Sequence, residues 1–170
     1  MKLLVVIDMQ NDFIDGALGT SEAVGIVNNV AEKIRIFREN GYMIVFTRDT
    51  HESNYLSTNE GKKLPVKHCV KGSIGWEISD KLDVKNAKII DKPSFGSLEL
   101  AEYAASIDGL EEVVLIGLCT DICVISNAMI LKAKLPEIKI AVDSGCCAGV
   151  TVQSHNNALE AMKMCQIDII

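Results

Sequence analysis

Short apolar runs alternate along the chain with stretches whose apolar residues recur every three or four positions, the signature of strands alternating with amphipathic helices. Lys2 to Ile7 (KLLVVI) reads as a central strand, because a strand covered on both faces has no polar alternation. From Ser21, a plausible N-cap, Val24, Val27, Ala31, Ile34 and Phe37 keep helical spacing until Asn40-Gly41 supplies a stop. Tyr42 to Thr47 predicts a second strand and Ala87 to Ile90 a third. Val113 to Leu118 predicts a fourth, Pro136 to Val142 a fifth and Gln166 to Ile170 a sixth. Trp76 to Leu82 reads as one or two helical turns. Further helices are expected over Ser97 to Ala105, Asp121 to Lys134 and Val152 to Met164, with a turn at Gly145 to Gly149. This alternation predicts a doubly wound α/β fold, with a mostly parallel six-stranded sheet and helices on both faces. Arg48 to Gly75 lacks periodicity, and a loop of that length in a compact domain is usually functional or disordered.

Composition narrows the classes. A chain of 170 residues that is 48% hydrophobic has the size of one domain spanning 1–170. Its net charge of −6 is dispersed and no basic stripe is present, which argues against nucleic acid as a partner. No apolar run reaches the roughly 18 to 20 residues of a membrane span. A cytoplasmic location is expected, with no membrane partner and with self-association into a homo-oligomer. The cysteines at 69, 119, 123, 146, 147 and 165 contain no CxxC pair and read as free thiols.

Three residues fall at or just after the carboxyl ends of predicted strands, where open α/β sheets bind ligands: Asp8, Lys92 and Cys123. A thiol in the first turn of a helix feels the positive end of the helix dipole, and free N–H groups in such a turn can meet an oxyanion. If strands one, three and four are near neighbours, the three side chains converge, and a thiol with an adjacent carboxylate and ammonium suits nucleophilic catalysis. Singly, each has a plain alternative: Asp8 as a turn cap, Lys92 as a solvated lysine, Cys123 as a small core residue. Asp49 and His51 form a D-x-H pair after strand two and His68 follows in LPVKHCVKG, a donor set suited to a borderline divalent ion. His155 in the last helix is a weaker candidate base, Cys146-Cys147 reads as packing, and Asp143 as a turn cap.

In order along the chain, DMQNDF (8–13), DKPSFGS (91–97) and GLCTDICV (117–124) resemble the isochorismatase-like cysteine hydrolase superfamily, in its nicotinamidase/pyrazinamidase-like branch. The resemblance implies Cys123 as nucleophile, Asp8 as acid/base and Lys92 as third member. It implies a cis peptide at Leu118-Cys119, with the N–H groups of Cys119 and Cys123 forming an oxyanion hole. It also implies one divalent metal ion, zinc being the expected one, held by Asp49, His51 and His68 with Glu60 as a further ligand. Ion loss is expected as pH falls through about 6, where imidazoles protonate. Phe13 and Leu64 would wall the substrate pocket, Leu64 standing before Pro65 where nicotinamidases commonly carry a ring-stacking Trp. The implied activity is hydrolysis of a small carboxamide, nicotinamide or a relative, to acid and ammonia through a thioester. The alternatives are an N-carbamoyl or ureido amidohydrolase without catalytic metal, and a non-catalytic metal-binding module in which Cys123 is a core thiol.

Overall fold

A computed structural model describes all residues 1–170. Its sheet has the order β3-β2-β1-β4-β5-β6 and every strand pair is parallel. The strands are β1 (Lys2–Ile7), β2 (Met43–Asp49), β3 (Lys88–Lys92), β4 (Glu112–Leu118), β5 (Lys139–Ala148) and β6 (Asp168–Ile169). The helices are α1 (Asn11–Ile14), α2 (Ser21–Glu39), α3 (Asn59–Lys63), α4 (Leu98–Ala105), α5 (Ile125–Lys134) and α6 (Val152–Met164). The chain winds outward from β1 to β3, then restarts at β4 on β1's other side. That reversal leaves a crevice beyond the carboxyl ends of β1 and β4, where such sheets bind ligands.

Period-two alternation explains how β1 serves two cores. Leu3, Val5 and Ile7 pack with residues of α4, α5 and α6 on one face, whereas Leu4 and Val6 pack with α2 on the other. All five are fully buried, consistent with an unbroken apolar run in a strand covered on both sides. Thr20 rather than Ser21 caps α2, accepting from the Ala23 N–H, and Gly41 at φ +69° ends it. The buried stripe of α2 is Ala23, Ile26, Val27, Val30, Ile34 and Phe37. Val24, expected inside, is exposed because the register of the stripe follows Ala23 and Val27.

Two other expectations need correction. The turn foreseen at Gly145 to Gly149 is absent: β5 runs on to Ala148 through a bulge, pairing Val142 with Leu115 and then Cys147 with Gly117. The Asp143 carboxylate caps the Gly145 N–H and the Gly145 carbonyl accepts from Asn29, so α2 supports the bulge. Trp76 to Leu82 is not a helix. A 3-10 turn covers Ile74–Trp76 and is capped by Ser73, and Ile78 then bridges Gln10. The stretch after β2 is ordered by a 3-10 turn at Tyr55–Ser57, by α3 and by a bridge between His51 and Val70.

Candidate active site at the carboxyl edge of the sheet

β1 ends at Asp8, which is fully buried and held at φ +47°. The Thr47 hydroxyl donates to its Oδ1 at 2.7 Å, which leaves Oδ2 facing Lys92. Convergence requires strands one, three and four to be near neighbours; β4 adjoins β1, and β2 alone separates β1 from β3. Lys92 closes the gap with its length. Its buried Nζ lies 2.6 Å from Asp8 Oδ2, 3.4 Å from Asp49 Oδ1 and 3.5 Å from Cys123 Sγ, and it donates to the Ser94 carbonyl at 3.1 Å. The contact with Asp8 Oδ2 lies outside hydrogen-bond geometry, so that oxygen keeps an acceptor position open.

Charge pairing dominates the electrostatics. Burial disfavours the Lys92 ammonium, but Asp8, Cys123 and Asp49 outweigh it and hold the amine charged. Burial raises the Asp8 carboxyl above its usual range against the pull of Lys92. The thiol of Cys123 does not follow the helix-dipole expectation. Burial, reinforced by Asp8 and opposed by Lys92, pushes it well above the ordinary thiol range.

The turn bearing Cys123 is a single π-helical turn, Thr120–Val124, rather than the first α-turn expected from Asp121, and α5 follows it. The Leu118-Cys119 peptide is cis, as the resemblance implied. The Cys119 N–H donates to no acceptor within the protein. Asn127 braces the turn from behind, donating to the Cys123 and Phe95 carbonyls at 2.8 and 3.0 Å.

A second group sits beside the first. One ligand atom from each of Asp49, His51, Glu60 and His68 lies within 4.8 Å of the others, so this donor set can close around one ion. His68 is oriented for it: Nδ1 donates to the Val66 carbonyl at 2.8 Å, turning the Nε2 lone pair toward Asp49 Oδ2, 3.6 Å away. His51 Nε2 is buried 2.9 Å from Asp49 Oδ2 without hydrogen-bond geometry, an orphaned polar atom that a cation would satisfy. Burial opposes the Asp49 charge, yet His51, His68 and Lys92 hold this carboxyl far below its usual range. Burial lowers and Asp49 raises the His68 pKa, with a net rise.

Between the two groups lies a cavity of about 50 Å³ whose walls include Phe13, Leu64, His68, Cys119 and Cys123. It shares Phe13, Leu18, Leu64, Cys119 and Ile122 with an adjoining lobe of about 270 Å³ that extends to Thr20 and Val150. The structure therefore brings together Asp8, Lys92 and Cys123 with Asp49, His51, Glu60 and His68 and with the walls Phe13 and Leu64. His155 stands apart from that cluster, bonded to Thr120.

Sequence reasoning missed the supports. The Gln10 amide donates to the Asp49 and Trp76 carbonyls at 2.8 and 2.9 Å, and its oxygen accepts from the Asp49 N–H at 2.7 Å. Tyr55 is fully buried against the rings of His51 and His68, and its hydroxyl donates to the Leu64 carbonyl at 2.9 Å. Asp12 accepts from the Cys69 N–H beside His68. The polar cluster DMQNDF after a buried strand was the available signal for Gln10 and Asp12.

An open parallel sheet with polar side chains gathered at its switch point puts the chain among the doubly wound α/β proteins. Within that class it belongs to the isochorismatase domain family, whose model matches residues 2–170. A pyrazinamidase of Pyrococcus horikoshii, solved in complex with zinc, is 32% identical, covers 99% of this chain and 98% of its own, and superposes with a TM-score of 0.87. A nicotinamidase/pyrazinamidase from Bacillus subtilis is 26% identical, covers 99% and 98% of the two chains, and has a TM-score of 0.86. A nicotinamidase of Saccharomyces cerevisiae is 28% identical over 177 residues, covering 76% of this chain and 80% of that protein.

Proposed function

We propose that the protein is an amidohydrolase that converts a small flat carboxamide, nicotinamide or a relative, to the carboxylic acid and ammonia through a thioester on Cys123. The observation that carries this reading is the single ammonium of Lys92 lying between Asp8 Oδ2 at 2.6 Å and Cys123 Sγ at 3.5 Å. The relatives known as nicotinamidases and pyrazinamidases support the amide C–N bond as the target.

In this mechanism Asp8 accepts the Cys123 thiol proton as sulfur bonds to the carboxamide carbon, and Lys92 offsets the charge of the thiolate as it forms. The carbonyl oxygen becomes an oxyanion that the Cys119 and Cys123 N–H groups accommodate. The tetrahedral adduct collapses to the thioester as Asp8 returns the proton to the departing nitrogen, releasing ammonia. Asp8 then takes a proton from water, the hydroxide attacks the thioester carbon, and the carboxylic acid leaves as the proton returns to Cys123 sulfur. Raised above the usual carboxylate range by burial, Asp8 is suited to both directions of transfer.

Asp49, His51, Glu60 and His68 would hold a divalent ion, with zinc the best match to one or two carboxylates and two imidazoles. Such an ion would supply an anchor for a ring nitrogen. Phe13 faces the His68 ring at 5.5 Å and, with Leu18, Leu64 and Ile122, offers a flat substrate walls that are mostly aliphatic.

The test is ammonia release across a panel of aromatic carboxamides and ureido acids, with metal content measured on the same preparation. Carboxamide turnover that falls more than about a hundredfold in Cys123→Ala is expected. Turnover of ureido acids alone, or a Cys123→Ala variant that keeps its activity, would refute the reading.

A further inference from the structure

The nucleophile turn is fastened from outside the Asp8–Lys92–Cys123 cluster, by the connection that leads from β5 into α6. Thr120, the first residue of the turn, is fully buried, and its only side-chain partner is His155 on α6, with Nδ1 2.8 Å from Oγ1. The next residue, Asp121, receives the Val150 N–H on both carboxylate oxygens at 3.2 Å. These two residues open the turn that leads to Cys123, so its amino end is tied to α6 through Thr120 and to the connection before α6 through Asp121. The anchor is itself firm, since Thr151 and Ser154 form a reciprocal capping box at the start of α6. Glycine at 149 permits the approach: a Cβ there would lie 2.9 Å from the Cβ of His155.

We propose that His155 is a positioning residue for hydrolysis, holding the Cys119–Cys123 turn in register with Asp8 and Lys92 through its bond to Thr120. This rests on the amidohydrolase reading given above. With the ring neutral and its proton on Nε2, Nδ1 accepts from the Thr120 hydroxyl, and that buried donor is satisfied. Protonation turns Nδ1 into a donor and leaves the Thr120 hydroxyl proton without an acceptor. The groups facing the ring are Asp121 from the turn, Glu22 from α2 and the Cys147 thiol of β5, the last two lining a cavity of about 240 Å³ with His155. Half-burial keeps the imidazole below its usual pKa against the pull of Asp121, which favours the neutral acceptor near pH 7. Displacement of reacting atoms by about 1 Å can cost on the order of a hundredfold in rate, so a loosened turn has a large effect without touching substrate.

The experiment compares His155→Ala with His155→Asn, whose Oδ1 can replace Nδ1 as acceptor but cannot be protonated. In His155→Ala, kcat should fall about tenfold or more with KM within about twofold, since the change misplaces the reacting sulfur rather than the binding walls. In His155→Asn most of kcat should return, with a smaller loss on acidification than in the wild type. Hydrogen exchange of residues 119–125 is followed in parallel because it needs no substrate; it should rise several-fold in His155→Ala and return toward wild type in His155→Asn. Equal kcat in the two variants, or unchanged exchange in His155→Ala, would overturn the positioning role. A wild type that releases no ammonia from any carboxamide would defeat the hydrolase reading, while the exchange comparison would still decide whether His155 holds the turn.

Discussion

The sheet carries an acid–lysine network at each end, and the two differ in nearly every physical respect. At the carboxyl edge Asp8, Lys92 and Asp49 are buried, with Lys92 and Asp8 fully inaccessible. At the amino edge Glu112 sits between Lys2 at 2.6 Å and Lys139 at 2.9 Å, and Lys139 reaches Asp168 at 3.6 Å, with both lysines more than 40% exposed. Both networks bridge neighbouring strands, yet only one is expensive to disturb. Exposed pairs are screened and contribute little, whereas removing one member of a buried pair strands the other's charge in a poor solvent. Ions buried on both sides of the pair therefore mark the end of the sheet where chemistry is proposed, whereas at the far end a buried Glu112 is matched by lysines that stay in water, which marks compatibility of neighbouring strands.

The sharpest way to break this contrast is Lys92→Met, which removes the one buried cation from between Asp8 and Asp49. Chemical denaturation should show a loss of about 3–5 kcal/mol, the usual result of orphaning a buried charge. Asp8→Asn in the Lys92→Met background should recover part of that loss, because one unpaired carboxylate is then gone. A Lys92→Met variant as stable as the wild type would mean the pair is not buried as described.

A smaller effect concerns pH and the ion proposed at Asp49, His51, Glu60 and His68. Ligation needs neutral imidazoles, and Asp49 raises the His68 pKa above its ordinary 6.5. In the metal-free protein a raised imidazole pKa adds stability that is complete below pH 6.5 and is lost as pH rises through the folded-state value. Metal binding runs the other way, weakening as pH falls through that same value. Affinity measured by competition with a chelator should therefore begin to fall above pH 6.5, earlier than the pH of about 6 expected from sequence. Constant affinity from pH 7.5 to 5.5 would exclude His68 as a ligand.

At the amino edge, Glu112→Gln should lower stability by no more than about 1 kcal/mol. Neighbouring ammonium groups hold the Glu112 carboxyl below its usual value, so its small contribution is present above the ordinary carboxylate range and fades on acidification through it. A loss as large as that of Lys92→Met would erase the distinction between the two ends.

What was legible in the sequence follows from the same physics. Buried parallel strands announce themselves as apolar runs, so β1 and β4 were located almost to the residue, and with them Asp8 and the Cys119–Cys123 turn. The helical stop at Asn40-Gly41 was equally plain because few residues other than glycine adopt that backbone. Long-range pairing left no local trace. Thr47, Tyr55 and Asn127 each satisfy buried groups through partners tens of residues away or across a loop, and polar residues with such partners look like ordinary loop residues in sequence. The β5 bulge was read as a turn because Asp143, Ser144 and Gly145 have turn chemistry. Contacts far away in the chain keep that segment in the sheet: Asn29 and Lys33 of α2, and the Ile170 carbonyl that accepts from Ser144. The direction of the Cys123 shift was missed because a helix dipole can be inferred from order along the chain, whereas complete burial cannot.

Gly117 lets two main chains of the sheet meet without a side chain between them. It sits beside Ile7 at φ +114°, and a Cβ there would fall 2.1 Å from the Ile7 carbonyl oxygen. Asp8 and the turn emerge from the next residues of those same two strands, so the distance between acid and thiol is set by main chains in contact. Any attempt to transplant the reactive cluster onto another scaffold would have to carry over this side-chain-free crossing. Random substitution at 117 should be the least forgiving experiment in the molecule, although the residue has no functional group to lose.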